Sequence, residues 1–139
     1  MSVHVTHAEA ETEAVGRELG ARLAPGAVLL LSGQLGAGKT AFVRGLAAGL
    51  GTDPADVSSP TFTLIQEYRG RVTLQHVDLY RVTEREVPAL GLDELAASGC
   101  VLAVEWAERW TDPPPGAIAV TFEVTGDDER TIDVSGGSR

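Results

Sequence analysis

The sequence predicts an α/β fold in three layers, with helices packed on a central sheet of mixed parallel and antiparallel strands. Two observations carry the prediction. The first is a contiguous unit. Ala27-Val28-Leu29-Leu30-Leu31 is a short apolar run fit for a buried strand, and Gly33 to Thr40 (GQLGAGKT) follows it. Then comes TAFVRGLAAGL, where Phe42, Val43, Leu46, Ala47 and Leu50 recur at helical spacing before a stop at Gly51. The second is that four of the remaining strand candidates come as two close pairs. Hairpins cannot supply the long crossovers that a purely parallel sheet needs, so part of the sheet must be antiparallel.

In chain order, Val3 to Val5 alternates and reads as a short edge strand. Thr6-His7-Ala8-Glu9 has the spacing of a capping box and predicts a helix over 7–24. Its apolar stripe is Val15, Leu19 and Leu23, with Glu11, Glu18 and Arg22 in water, and Pro25-Gly26 ends it. After the central unit, TDPADVSSP is a loop by composition, extended at Ser59 because Pro60 follows. Phe62 to Tyr68 and Val72 to Val77 form a hairpin around Gly70. Thr83 to Glu86 is a second candidate capping box, with only short helices beyond it because Pro88 and Gly91 interrupt. Val101 to Val104 is a buried strand ending in Glu105-Trp106. The run Pro113-Pro114-Pro115 is a surface connection. Ile118 to Val124 and Thr131 to Val134 close the chain as a hairpin, turning at Gly126-Asp127-Asp128.

A chain of 139 residues with 43% hydrophobic content is expected to form one domain, 1–139, with a disordered tail from about 135. No apolar run is long enough to cross a membrane, and no basic start precedes an apolar segment as in a secretion signal. Cys100 is the only cysteine, which rules out an intramolecular disulfide and fits a reducing cytosol; in CVLAV it reads as an inert core residue. A cytoplasmic protein without membrane association is the expectation. Net charge is −9, which opposes broad binding to a nucleic-acid backbone, since that requires cations in excess.

GQLGAGKT fills every fixed position of the phosphate-loop pattern G-x-x-x-x-G-K-[ST], and strand, loop and helix are the context that pattern demands. The fold is therefore expected to be P-loop NTPase-like. Gly33, Gly36 and Gly38 let the backbone curl so that successive N–H groups face a phosphate, and the helix starting near Lys39 adds the positive end of its dipole. Lys39 can reach the β- and γ-phosphates, and the Thr40 hydroxyl can take one Mg²⁺ position. Lys39 is also the only lysine in the chain, against ten arginines. A compact ammonium stands where a planar guanidinium is no substitute.

Nucleotide hydrolysis also needs carboxylates to hold Mg²⁺ and orient water. Asp78 ends VTLQHVD and Glu105 ends VLAVE. Both would lie at the carboxyl ends of strands, where open α/β sheets bind ligands, although solvated strand ends carry acids as well. Thr61, in SSPTF, is either a contact to Mg²⁺ or γ-phosphate, or a turn residue. His76 and Asp78 share a strand face, a weak hint of a metal pair, and His76 reads mainly as structural. Trp106 is placed to stack on a nucleotide or partner, whereas Trp110 reads as packing. Arg81, Arg85 and Arg109 read as surface charge. No guanine-reading [NT]-K-x-D is possible with Lys39 as the sole lysine, which disfavours a GTPase.

GQLGAGKT, SSPTFTL, HVDLYR and VEWAE, in that order, resemble the TsaE (YjeE-like) family of bacterial P-loop ATPases of tRNA threonylcarbamoyladenosine biosynthesis. The resemblance spans nearly the whole chain. It implies ATP and Mg²⁺ as cofactors, with the nucleotide held by Gly33, Leu35, Gly36, Ala37, Gly38, Lys39, Thr40 and Ala41. It implies Thr40 and Glu105 as the Mg²⁺ pair, Asp78 with Lys39 as hydrolytic residues, Thr61 as a switch-like threonine and Trp106 beside the metal-binding glutamate. Glu9 to Thr12 corresponds, without a sharp motif, to a region near the adenine. The family's loop usually reads GDLGAGKT; Gln34 here removes a charge. The resemblance further implies action with TsaD and TsaB homologues, which attach threonylcarbamoyl to tRNA, so that tRNA is engaged only through that complex. Two other readings use the same loop: a small-molecule kinase, and a nucleotide-gated adaptor with negligible turnover.

Overall fold

The computed structural model describes residues 2–34, 38–53 and 64–136. Seven strands form one mixed sheet: β1 (Ser2–Thr6), β2 (Val28–Gly33), β3 (Ile65–Tyr68), β4 (Leu74–Asp78), β5 (Val101–Glu105), β6 (Ile118–Val124) and β7 (Arg130–Gly136). Their order across the sheet is β1-β7-β6-β2-β5-β4-β3. β4, β5, β2 and β6 run parallel, while β3, β7 and β1 pair antiparallel at the two sides. The motif strand β2 is thus the middle strand. Its chain leaves toward β3 and β4 on one side, and β5 is followed by β6 on the other, so β2 stands where the winding reverses.

The helices are α1 (Glu9–Arg22), α2 (Lys39–Gly49) and α3 (Leu92–Ala97), with 3-10 turns at Val87–Leu90 and Ala107–Arg109. Alternation along the strands divides the core in two. Leu29 and Leu31 of β2, with Val101 and Ala103 of β5, face α1 and α2. Val28 of β2 and Leu102 and Val104 of β5 face α3 and the 3-10 turns. On that second face the cover is partial: Thr121, Glu123 and Asp133 of the β6–β7 hairpin point to solvent. The helical stripe read from α2 is the buried one. Phe42, Leu46 and Leu50 are fully buried, each worth about 1.5–3 kcal/mol relative to exposure. Phe42 meets Phe122 edge to face with centroids 5.2 Å apart.

α1 departs from its predicted form. Its N-cap is Ala8, without a side-chain cap. The Thr6 hydroxyl is instead buried against the Thr12 hydroxyl at 2.8 Å, and Glu11 reaches back to the His7 N–H at 2.7 Å. The capping-box spacing at Thr6 therefore marks a tertiary contact, because the first residue in extended backbone directly ahead of the helix is Ala8. The predicted apolar stripe also understates the packing. Val15 and Leu19 are only half-buried, whereas Gly16 and Gly20 are buried against α2. A Cβ on Gly45 would stand 1.8 Å from the Glu13 carbonyl oxygen, and one on Gly16 would stand 2.2 Å from that of Phe42. The two helices meet backbone to backbone, which only glycine permits. Arg71 then donates to the carbonyls of Gly20 and Gly49, joining the C-terminal ends of both helices.

The second box holds in part. The Glu86 carboxylate accepts from the Thr83 N–H at 2.9 Å and from its hydroxyl at 3.1 Å. These bonds, the backbone one first, hold its pKa below the ordinary glutamate value. Only the short turn and α3 follow, as Pro88 and Gly91 required. At the C-terminus the expected disorder begins too early. β7 continues through Ser135 and Gly136, paired with Ala119 and Ile118, because the β6 edge offers partners that far. Residues 137–139 lie outside the described residues.

Candidate functional site

The parallel register assembles the site. Leu31 of β2 lies opposite Glu105 of β5, and Glu105 lies opposite Asp78 of β4. Both acids thus stand at the carboxyl ends of parallel strands, Glu105 on the neighbour of β2 and Asp78 one strand further out, at the end where Gly33, the last residue of β2, opens the glycine-rich loop. Gly38 caps α2 in the left-handed region at φ 101°, a conformation that glycine adopts without penalty. No side chain among the described residues caps α2, and the first N–H groups of a helix are the ones that suit an anionic ligand. A Cβ on Gly38 would meet the Thr12 methyl at 3.2 Å, so the loop's end rests on α1 at Thr12. Thr40 is exposed and Ala41 is buried beneath it. Glu9 is exposed and pairs with Arg44 at 3.6 Å. Leu35, Gly36, Ala37 and Thr61 lie outside the described residues.

Lys39 is buried despite its charge. It is 5% exposed. Its Nζ donates to the Gly33 carbonyl at 2.9 Å and lies 4.8 Å from the centroid of the Trp106 ring. The ammonium is held at the base of the loop by a charged hydrogen bond and a cation–π contact. Trp106 is half-buried and is the one non-glycine described residue at positive φ, 57°. Strain of this kind, of order 1–3 kcal/mol, persists only where neighbours over-determine the backbone. Here they are Lys39, Tyr80 at 5.0 Å between centroids, and the Arg109 guanidinium 5.6 Å from the ring. Arg109 is not surface charge. It donates to the carbonyls of Leu79, Tyr80 and Val82 and so clamps the segment after β4. Trp110 is buried in the second core, as read from sequence.

Asp78 is half-buried, and one of its oxygens accepts from the Tyr80 N–H at 3.0 Å, which sets its rotamer. Glu105 is buried, and its Oε2 meets His76 Nε2 at 2.6 Å. His76 is itself 2% exposed. It pairs with Glu105 rather than with Asp78, so the His-x-Asp metal pair does not form. Sequence alone could not find this contact, since it depends on the register of β4 on β5.

The model of the family described as "Threonylcarbamoyl adenosine biosynthesis protein TsaE" matches residues 6–132, nearly the full length and every element of the site. The chain belongs to the TsaE family. Similar TsaE proteins include one from Bacillus subtilis, 45% identical over 124 residues, which cover 88% of this chain and 77% of the relative. Another, from Treponema pallidum, is 38% identical over 133 residues, 94% of this chain and 98% of the relative. Both carry the printed name "tRNA threonylcarbamoyladenosine biosynthesis protein TsaE". The crystal structure of Bacillus subtilis YdiB superposes with a TM-score of 0.81 at 36% identity, covering 99% of this chain and 86% of that one. The predicted α/β, P-loop-like architecture with its mixed sheet is therefore that of the TsaE family.

A Mg²⁺–nucleotide fits the residues that the TsaE fold brings together. Thr40 offers an exposed hydroxyl, and the second oxygen of Glu105 has no protein partner among the described residues. Among the described residues no three His, Cys, Asp or Glu side chains converge to hold an ion alone. Mg²⁺ commonly takes one or two protein ligands and completes its shell with phosphate and water. A cavity of about 730 Å³ lies elsewhere, lined by Arg22, Pro25, Val28, Asp93, Pro114 and Ile118 among others, at the opposite ends of β2 and β6. It contains none of the motif residues. No helix is long and apolar enough to cross a membrane among the described residues.

Proposed function

We propose that this chain is a Mg²⁺-dependent ATP-binding and hydrolysing protein that supports formation of N6-threonylcarbamoyladenosine in tRNA, acting through TsaD and TsaB homologues in the cytoplasm. One observation supports the nucleotide reading most. The sheet register sets Glu105 on the strand beside the one that opens the phosphate loop, and Asp78 directly opposite Glu105 on the next strand, at the same end of the sheet as Lys39 and Thr40. The role in tRNA modification rests on membership of the TsaE family.

In this reading the loop from Gly33 to Thr40, with Ala41 behind it, cradles the phosphates. Lys39 leaves the Gly33 carbonyl for phosphate oxygens, and Trp106 remains as the surface against which it moves. Thr40 and Glu105 would hold Mg²⁺, which would supply neutralisation of phosphate charge. Asp78, its rotamer set by the Tyr80 N–H, orients the attacking water. Thr61 approaches the γ-phosphate by its match to the family's switch-like threonine, and Glu9 and Thr12 border the adenine. The protein transfers no group itself; its ATP state governs association with the modifying pair.

The test follows phosphate. Wild type, Lys39→Ala and Asp78→Ala are given γ-labelled ATP in single turnover, with and without TsaD and TsaB homologues. Free phosphate that requires Lys39 and Asp78, and rises with the partners, is expected. Label on an added small acceptor would indicate a kinase. Turnover no faster than that of Lys39→Ala, with partners present, would indicate an adaptor.

A further inference from the structure

We infer that His76 is a positioning residue for the Mg²⁺ site, fixing the Glu105 carboxylate through Nε2 so that its other oxygen faces the metal. The inference rests on the proposed assignment of Glu105 to Mg²⁺. Its ground is geometric. His76 Nε2 lies 2.6 Å from Glu105 Oε2, and both side chains are more than nine-tenths buried. A carboxylate oxygen only accepts, so Nε2 donates.

The other ring nitrogen, Nδ1, is buried with no hydrogen-bond partner among the described residues. Burying a polar atom unpaired is costly, and a histidine kept only for packing would be better replaced by an apolar side chain. The ring's single bond is to the glutamate at the strand end. The neighbouring charged groups give the carboxylate no comparable hold: Asp78 of β4 is turned to the Tyr80 N–H, and Lys39 of α2 to the Gly33 carbonyl. Glu105 would otherwise be free to rotate about its side-chain torsions. Hydrogen-bond partners of this kind orient a metal-binding carboxylate, and their loss typically lowers metal affinity about 10–100-fold.

The experiment uses the full chain, a fluorescent ATP analogue and a Mg²⁺ titration, with three variants. His76→Gln carries an N–H donor near the position of Nε2. His76→Asn carries its donor near Nδ1 and cannot reach Glu105. Glu105→Ala removes the carboxylate. His76→Asn is expected to raise the Mg²⁺ concentration for half-maximal binding about tenfold or more, His76→Gln to restore it to within about threefold, and metal-free nucleotide affinity to stay unchanged in both. In a Glu105→Ala background, His76→Asn should have no further effect on Mg²⁺ dependence.

If Glu105→Ala shifts the Mg²⁺ dependence and His76→Asn does not, the positioning role is overturned while the Glu105 assignment stands. Equal shifts in His76→Gln and His76→Asn also overturn it, since the bond would then not matter. If Glu105→Ala leaves Mg²⁺ dependence unchanged, both readings fall. NMR on the unmutated protein removes any dependence on variant folding. The His76 ring proton must be found on Nε2 and exchange slowly with solvent; a proton on Nδ1 alone would overturn the role.

Discussion

Gly45→Ala tests the backbone-to-backbone contact on which the loop's position depends. A Cβ there would stand 1.8 Å from the Glu13 carbonyl oxygen, about 1.6 Å short of ordinary van der Waals contact. The obstacle is backbone, so no rotamer change relieves it, and α1 must move away from α2. Overpacking costs about 1–3 kcal/mol and occasionally more; a fixed backbone oxygen puts this case near the upper end. Replacing a helical glycine by alanine returns about 1 kcal/mol in helix propensity. The net is a destabilisation of about 2 kcal/mol. With an unfolding entropy of about 2.1 cal/mol/K per residue, the 139 residues correspond to roughly 0.29 kcal/mol/K, so Tm should fall by about 7 °C. Circular dichroism or calorimetry on the ligand-free protein measures it. A rise of about 3 °C, the sign that helix propensity alone dictates, would refute the close-contact argument.

Lys39→Ala should weaken ATP binding about 10–100-fold, the range for losing a hydrogen bond to a charged group, while Tm moves by only a few degrees. The lost bond to Gly33 is offset by no longer burying a charge, and fluorescence titration with thermal melts on the same samples checks both. Glu105→Ala should reduce Mg²⁺-dependent ATP affinity, whereas Asp78→Ala should spare affinity and slow hydrolysis. Equal loss of affinity in the two variants would end that division of labour. The isolated protein should bind tRNA no more tightly than several tens of micromolar at about 0.15 M salt, where the screening length is roughly 8 Å. Net charge is −9, Arg17, Arg22, Arg44 and Arg69 pair with glutamates, and Arg71 and Arg109 are turned to carbonyls. Anisotropy with labelled tRNA is the measurement, and micromolar binding without partner proteins would contradict it.

What the sequence by itself determined was local. The phosphate loop is legible because its eight positions are contiguous and each residue type has its own reason. β2 and α2 are legible because an unbroken apolar run and a period of 3.6 each leave their mark within a dozen residues. Glu105 and Asp78 could be named as candidates since each ends an apparent strand, and the hairpins forced a mixed sheet. The same local reading misplaced what depends on contacts between distant segments. The Thr6 box became a buried hydroxyl pair with Thr12, and Lys39 became a buried cation. Arg109 became a clamp on carbonyls 27–30 residues away in sequence. The glycines of α1 and α2 look like weaknesses in two separate helices, and their use exists only where the helices cross. His76 and Glu105 stand 29 residues apart, and their meeting depends on strand order and on register. A shift of one residue in β4 against β5 would turn His76 to the other face of the sheet. Hydrophobic pattern specifies each strand, but only the packed sheet decides which side chains face each other across it.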